Sequence, residues 1–225
     1  MRLRPGLSAL AAALAVAALP AAAAGTVAPG EARDLEAATA AGLGDYWTAT
    51  FRRLGRVYIG PSDVAWYDFP TFTGCGITSL GSSTYCRVDR TIYLDSGLFE
   101  RTIRDIGEFA AATILAHEWG HEVQDELGLF RWAVVHRYWI GKELQADCYA
   151  GMYTRHLAQI GLLQDGDVEQ ATTLLASLGD DQRMKRNSPQ AHGTPIERVG
   201  WFLRGYQTGS LKSCKSVYAV LYRRR

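Results

Sequence analysis

His117-Glu118-Trp119-Gly120-His121 constrains this chain more than any other stretch. Side chains four apart on a helix lie on one face, so a helical HExxH run brings two imidazoles to one point. The fold must then leave a space beside that face for a metal ion, and a further ligand must reach the same space. Glu118 lies one position along, where its carboxylate can take a proton from a water beside the metal. The surrounding residues predict an alanine-rich helix over 107–127, with Gly128 as its stop.

A catalytic zinc takes three protein ligands and keeps a fourth position for water. In metzincins the third ligand is a histidine six residues after the second motif histidine, with glycine halfway. Those positions hold Leu127 and Gln124 here, which excludes that class. A carboxylate on a following helix is the next possibility. Glu143-Leu144-Gln145-Ala146-Asp147 begins 22 residues after His121, within a predicted helix over 138–160. Glu143 and Asp147 share a helical face. The expected arrangement puts Glu143 on the metal and has Asp147 accept a hydrogen bond from a ligand imidazole, fixing its tautomer. On the residues alone the reverse assignment stays open, with Asp147 as ligand and Glu143 in support. Glu122, Asp125 and Glu126 lie too close in sequence to fold back onto the same ion and read as solvent-facing or structural. His136 and His156 have no motif around them and read as surface or packed residues. Trp119 reads as core, and Gly120 as a point where another element can come close.

The chain opens with Arg2 and Arg4, a short apolar run over 7–19, Pro20 and a string of alanines. That order is a secretory signal peptide, 1–24, with cleavage after Ala22-Ala23-Ala24. The run is shorter than the roughly 20 residues a spanning helix needs, so a retained anchor is not expected. The expectation is one exported domain over 25–225, periplasmic or secreted. The whole chain has 24 basic and 23 acidic residues, and loss of Arg2 and Arg4 leaves 22 against 23. A near-neutral balance gives no electrostatic footprint for nucleic acid. Arg223-Arg224-Arg225 reads as a solvated tail.

Export also decides how Cys75, Cys86, Cys148 and Cys214 are read. An even count in an oxidising compartment favours disulfides over thiol chemistry. Four cysteines allow three pairings. Cys75–Cys86 closes a short glycine- and serine-rich loop, leaving Cys148–Cys214 to pin the C-terminal segment, and this pairing is favoured.

Elsewhere the sequence predicts a helix over 31–54, β-like runs over 56–59 and 64–69, a loop over 71–87 and a strand over 91–94. A further helix is expected over 167–178. Thr194-Pro195-Ile196-Glu197 is a capping box with proline at the first helical position, so another helix opens there.

HEWGHEVQ, ELQADCYAG and HGTPIERVGWFLRGYQTG, in this order, resemble blocks of the bacterial putative neutral zinc metallopeptidase family. TGCGI and YCRVDRTIYLD resemble that family's stretch before the active-site helix. The resemblance covers residues 69–209. It implies an α+β, zincin-like fold, with a small sheet followed by a mostly helical domain that carries the HExxH helix. It also implies a gluzincin-type site, with His117, His121 and Glu143 on one Zn2+ and Glu118 as base. It names no substrate.

In such a site Glu118 takes the proton of the attacking water and passes it to the leaving amine, and the oxyanion needs a donor besides the metal. His192 is the candidate, with Arg198 six residues on. That spacing also resembles the downstream motif of membrane-bound prenyl-protease-like gluzincins. The bland alternative makes His192 a turn residue and Arg198 a structural ion-pair partner. Tyr149 and Tyr153 are other possible donors, though tyrosines on a helix are more often core. Zincins bind extended substrate along an edge strand, and 91–94 is the candidate by chain order, with an interior strand the equal alternative.

These readings converge on an exported zinc-dependent peptidase, an endopeptidase, acting on peptide or protein substrates. Two rivals remain: a zinc amidase acting on cell-wall peptides, and a non-proteolytic zinc-binding interaction protein. A purely structural zinc would fill all four positions with protein ligands and would not need Glu118, which counts against the last.

Overall fold

The computed structural model describes residues 30–222. The predicted signal peptide and the terminal arginines lie outside them. Among the described residues thirteen elements follow one another: a leading helix, five strands, then seven helices. The fold is mostly helical with a small sheet.

Helix α1 (Glu31–Arg53) buries Leu43, Trp47 and Phe51, three positions each four apart that make one apolar stripe. The chain then runs through 56–59 without forming a strand. Val57 and Ile59 are exposed there, so the β-like composition of that run finds no partner. Strand β1 (Asp63–Tyr67) is followed by a small hairpin, β2 (Phe72–Thr73) with β3 (Gly76–Ile77), then by β4 (Thr84–Cys86) and β5 (Thr91–Asp95). The segment expected to be loop over 71–87 thus carries three short strands, one of them in the main sheet.

That sheet has the order β1-β5-β4, with β1 parallel to β5 and β4 antiparallel to it. Strand β5 is therefore interior. Of the two expectations for it the interior one holds and the edge one is corrected: β1 and β4 are the edges, because β5 has a neighbour on each side. Ile92 and Leu94 share one face of β5 and are fully buried against the core.

Asp95 ends β5 and caps helix α2 (Ser96–Asp105), accepting from the Leu98 N–H at 2.5 Å. Helix α3 (Glu108–Glu126) carries HExxH and is buried continuously from Ala110 to Gln124. It runs through the centre, touched by α1, α2, β4, β5, α6 (Asp167–Ser177) and the two helices that come directly after α3 in sequence. Helix α4 (Leu129–Val135) is short and leads into α5 (Trp139–Gln159), which is likewise buried along its middle.

Two close approaches set the helix layers. A Cβ at Gly120 would lie 3.0 Å from both the Cα and the carbonyl oxygen of Ala146, so any larger residue would push α5 off α3 by a few tenths of an ångström at that point. Helix α7 (Pro195–Thr208) crosses α5 in the same manner. A Cβ at Gly151 would collide with the Phe202 carbonyl, and one at Gly205 with the Cys148 carbonyl.

The capping box of α7 forms as its sequence requires. Thr194 accepts from the Glu197 N–H, and Glu197 accepts from the Thr194 N–H. The disulfides are Cys75–Cys86 and Cys148–Cys214, the second tying α8 (Leu211–Tyr222) to α5. Among the described residues no helix is long and apolar enough to cross a membrane.

Candidate metal centre

The face of α3 that carries His117 and His121 meets α5 at Glu143. One ligand atom from each of these three residues lies within 4.8 Å of the others. Each histidine Nε2 stands 3.2 Å from the same carboxylate oxygen, Glu143 Oε2. Three donors that converge on one point, two imidazole nitrogens and a carboxylate oxygen, suit a zinc ion.

The other ring nitrogens are engaged elsewhere. His117 Nδ1 lies 2.7 Å from Asp147 Oδ1, and His121 Nδ1 lies 2.9 Å from Gln124 Oε1. An acceptor at Nδ1 holds the proton there and leaves Nε2 as a lone-pair donor. The Gln124 amide cannot turn over, because its nitrogen donates to the Lys142 carbonyl at 2.7 Å and to Gln145 Oε1 at 3.1 Å.

Asp147 is held in turn. Arg198 of α7 donates to it twice, from Nε at 2.9 Å and from Nη2 at 2.8 Å, and also to the Leu178 carbonyl at 3.2 Å. Both partners are buried. A forked guanidinium on a carboxylate fixes that carboxylate's plane, so α7 orients His117 through Asp147. Arg198 thus has the ion-pair geometry of its bland reading, one step from a candidate ligand.

The charges follow from these contacts. Burial works to lower the His117 pKa, but the Asp147 charge and hydrogen bond, with Glu143, push it up to about 9. Burial and the nearby Lys142 ammonium bring His121 down to about 4. Burial would raise Glu143, yet Lys142, whose Nζ is 2.5 Å from Oε1, and the two imidazoles hold it well below the usual carboxylate range. For Asp147 burial is again outweighed, first by the Arg198 charge and then by His117, so it stays ionised.

Glu118 lies beside these ligands. Burial, with the Glu143 charge, raises its carboxyl to about 7 against the His117 charge and a hydrogen bond from a main-chain N–H. That N–H belongs to Tyr85 of β4 and lies 2.8 Å from Oε2.

His117, Glu118, His121 and Glu143 open into a cleft of about 530 Å3. The cleft is lined by Thr84 and Tyr85 of β4, by the preceding Gly81–Ser83 segment, and by Leu174, Leu175 and Leu178. Phe130 and Lys142 also line it, with the Lys142 ammonium 4.9 Å from the Phe130 ring centre. His192 reaches the rim. Its side chain is 47% exposed, its Nδ1 is 3.9 Å from Asp180, and its main-chain N–H donates to the same carboxylate at 2.8 Å. Tyr149 and Tyr153 do not line the cleft. Tyr149 packs edge-on to Trp47, and Tyr153 borders a separate cavity between α1 and α3.

Glu122, Asp125 and Glu126 of α3 do not line the cleft. Glu122 is fully buried and accepts from the Tyr58 hydroxyl at 2.5 Å and from Arg90 at 3.3 Å. Glu126 pairs with Arg90, and Asp125 with Arg87. Trp119 is core and donates to the Tyr58 hydroxyl. His136 is exposed, and His156 stacks on Tyr46. Gln124, Lys142 and the Tyr85 main chain were not among the residues the sequence singled out for the site. Gln124 alone had a readable signal, three positions after His121 on the same helical face.

The profile of the family described as "putative neutral zinc metallopeptidase" matches residues 11–217, and the chain belongs to that family. It is 33% identical over 192 residues to the uncharacterized protein YpfJ of Escherichia coli (strain K12), covering 76% of this chain and 67% of that one. It is 34% identical over 174 residues to the uncharacterized proteins Mb2605 of Mycobacterium bovis and Rv2575 of Mycobacterium tuberculosis. Those matches cover 66% of this chain and 59% of the mycobacterial ones. No solved structure matches the chain significantly.

Proposed function

We propose that this chain is an exported zinc-dependent peptidase, an endopeptidase of zincin-like architecture, with His117, His121 and Glu143 holding one zinc ion. The convergence of those three donors beside a cleft that also holds Glu118 carries the reading. Zinc supplies a Lewis acid for the scissile carbonyl and a water acidic enough to attack near neutral pH.

The protein's own groups do the rest. Glu118 receives the proton of the attacking water and delivers it to the leaving amine. Asp147 and Gln124 keep both ligand imidazoles in the tautomer that presents Nε2. His192, on the cleft rim, turns inward to donate to the developing oxyanion. Strand β4 is an edge strand that lines the cleft, and an extended peptide can add to it through the outward main-chain groups that Glu118 leaves free, the Tyr85 carbonyl among them. This favours a peptide substrate over the cell-wall amide reading, which lacks an observation of its own.

The signal peptide over 1–24 and a periplasmic or secreted location belong to the same proposal. Two disulfides in a chain of this size suit an oxidising compartment.

Hydrolysis of an unfolded protein substrate tests the reading. Activity should disappear on chelation and return on addition of zinc. Zinc-loaded protein that cleaves only cell-wall peptides would move the assignment to an amidase.

A further inference from the structure

Strand β4 meets the sheet on one side only, and Tyr85 sits at its centre opposite Ile92. Residues along an antiparallel strand point their main-chain groups alternately toward the neighbouring strand and away from it. The Tyr85 N–H donates to Glu118 Oε2 at 2.8 Å, so it points away from β5 and across the gap to α3. Thr84 and Cys86 then take the positions that face β5.

The strand is pinned on all sides of that N–H. Cys86, the next residue, is fully buried and bonded to Cys75. The Tyr85 ring is buried, with its hydroxyl 3.3 Å from Asp125 and Phe130 packed edge-on to it. Two residues on, Arg87 pairs with the same Asp125 at 3.2 Å. Asp125 belongs to α3, as Glu118 does, so strand and helix are clamped at one register.

We propose that the main-chain N–H of Tyr85 is the positioning group for Glu118, holding one carboxylate oxygen so that the other faces the reacting water. The inference rests on the reading of Glu118 as the base. It makes β4 both a wall of the cleft and the element that aims the base. A carboxylate beside a metal can rotate onto the ion, and a fixed donor from the sheet prevents this by occupying one oxygen.

Two experiments test it. In the metal-free protein, amide hydrogen exchange is compared between wild type and Glu118→Ala. The Tyr85 amide should exchange at least about tenfold faster in the variant, while Thr84 and Cys86 keep their protection. Unchanged exchange at Tyr85 would overturn the hydrogen bond, whatever the activity.

In the zinc-loaded protein, Tyr85 is replaced by its α-hydroxy acid counterpart, which turns one amide into an ester, removes that N–H and weakens the Thr84 carbonyl as an acceptor; the same replacement at Cys86 controls for the weakened ladder. The expected result is a fall in kcat of about tenfold to a hundredfold, the value of a hydrogen bond to a charged group, with KM and zinc Kd within about twofold. Wild-type kcat in the ester variant would overturn the positioning role. Tyr85→Ala beside Tyr85→Pro is the genetic version. Alanine keeps the N–H and proline removes it at an outward-facing edge position, where proline is tolerated. Only the proline variant should lose kcat beyond the loss of the ring; equal values would count against the inference. Glu118→Gln is run in parallel. Full activity there would remove the base reading itself, and the amide-exchange result tells that failure apart from a failure of Tyr85.

Discussion

Asp147 is a position where stability and metal affinity should fall together. It is fully buried, lies 2.7 Å from His117 Nδ1, and accepts two hydrogen bonds from Arg198. Asparagine keeps the shape but has only one acceptor atom. If its oxygen faces His117, its amide hydrogens face a guanidinium that cannot accept them. If it turns over, the amide donates to His117 Nδ1 and forces the tautomer that blocks Nε2 from a metal. Either way the Arg198 charge, on a side chain only 4% exposed, is left uncompensated.

Removing one partner of a buried ion pair costs about 3–5 kcal/mol. Loss of a partner that orients a metal-bound histidine costs about tenfold to a hundredfold in affinity. Asp147→Asn should show both, by urea unfolding of the zinc-free protein and by competitive zinc titration. The double variant Asp147→Asn/Arg198→Met removes the stranded charge and should recover part of the stability but none of the zinc affinity. A loss under about 1 kcal/mol with wild-type zinc Kd would refute the argument that α7 acts on His117 through Asp147.

Other expectations are as direct. Glu118→Gln should keep zinc and lose hydrolysis, whereas Glu143→Ala should weaken zinc binding; full zinc retention and activity in Glu143→Ala would reassign the third ligand. The Glu118 carboxyl, raised to about 7 by burial first, gives a signed pH effect in the zinc-free protein. The unfolded chain ionises this group at its ordinary 4.5 while the folded state keeps the proton. The Glu118 contribution to stability should therefore fall between those pH values and level off above about 7, and it is isolated as the difference between wild type and Glu118→Gln, since His121 and His117 add contributions of their own. Glu118→Gln should gain on wild type over that window, by up to about 3 kcal/mol at pH 8. Gly120→Ala should cost about 1–3 kcal/mol, because the added methyl meets the α5 main chain rather than a movable side chain. Of the two disulfides, Cys148–Cys214 spans 66 residues and Cys75–Cys86 spans 11. Their replacement by serine pairs should cost about 4 and about 3 kcal/mol respectively, read from denaturation midpoints.

Much of the architecture could be read before any coordinates, because long helices announce themselves by period and caps. The bounds of α1, α3, α5 and α6 fall within a residue or two of those expected, and the Thr194 capping box opens α7 where its residues require. The pairing of His117 with His121 was legible for the same reason; Glu143 was the expected third ligand, but spacing alone left Asp147 open in its place. Short elements were not. Strand β4 is three residues long in a glycine- and serine-rich stretch, and only its pairing with β5 defines it. The run over 56–59 has strand composition but no neighbour to pair with, so propensity alone misled. Helices α2, α4 and α8 also went unread, although Asp95 before Ser96 is a capping signal.

The site's support was hidden by its nature. A hydrogen bond from the Tyr85 main chain carries no side-chain identity, so no pattern of residues could reveal it. Arg198 was singled out by spacing, but its partner Asp147 emerges only when α7 is laid against α5. The burial of Glu122 was also unreadable, since it depends on Tyr58 and Arg90 arriving from distant segments.

One measurement bears most directly on the whole account: hydrolysis of a mixed peptide library by the purified zinc-loaded protein, read by mass spectrometry beside Glu118→Gln. The account predicts internal cleavages by the wild type and none by the variant, with equal zinc in both. Equal zinc with no cleavage by either protein, or the same cleavages by both, would contradict it.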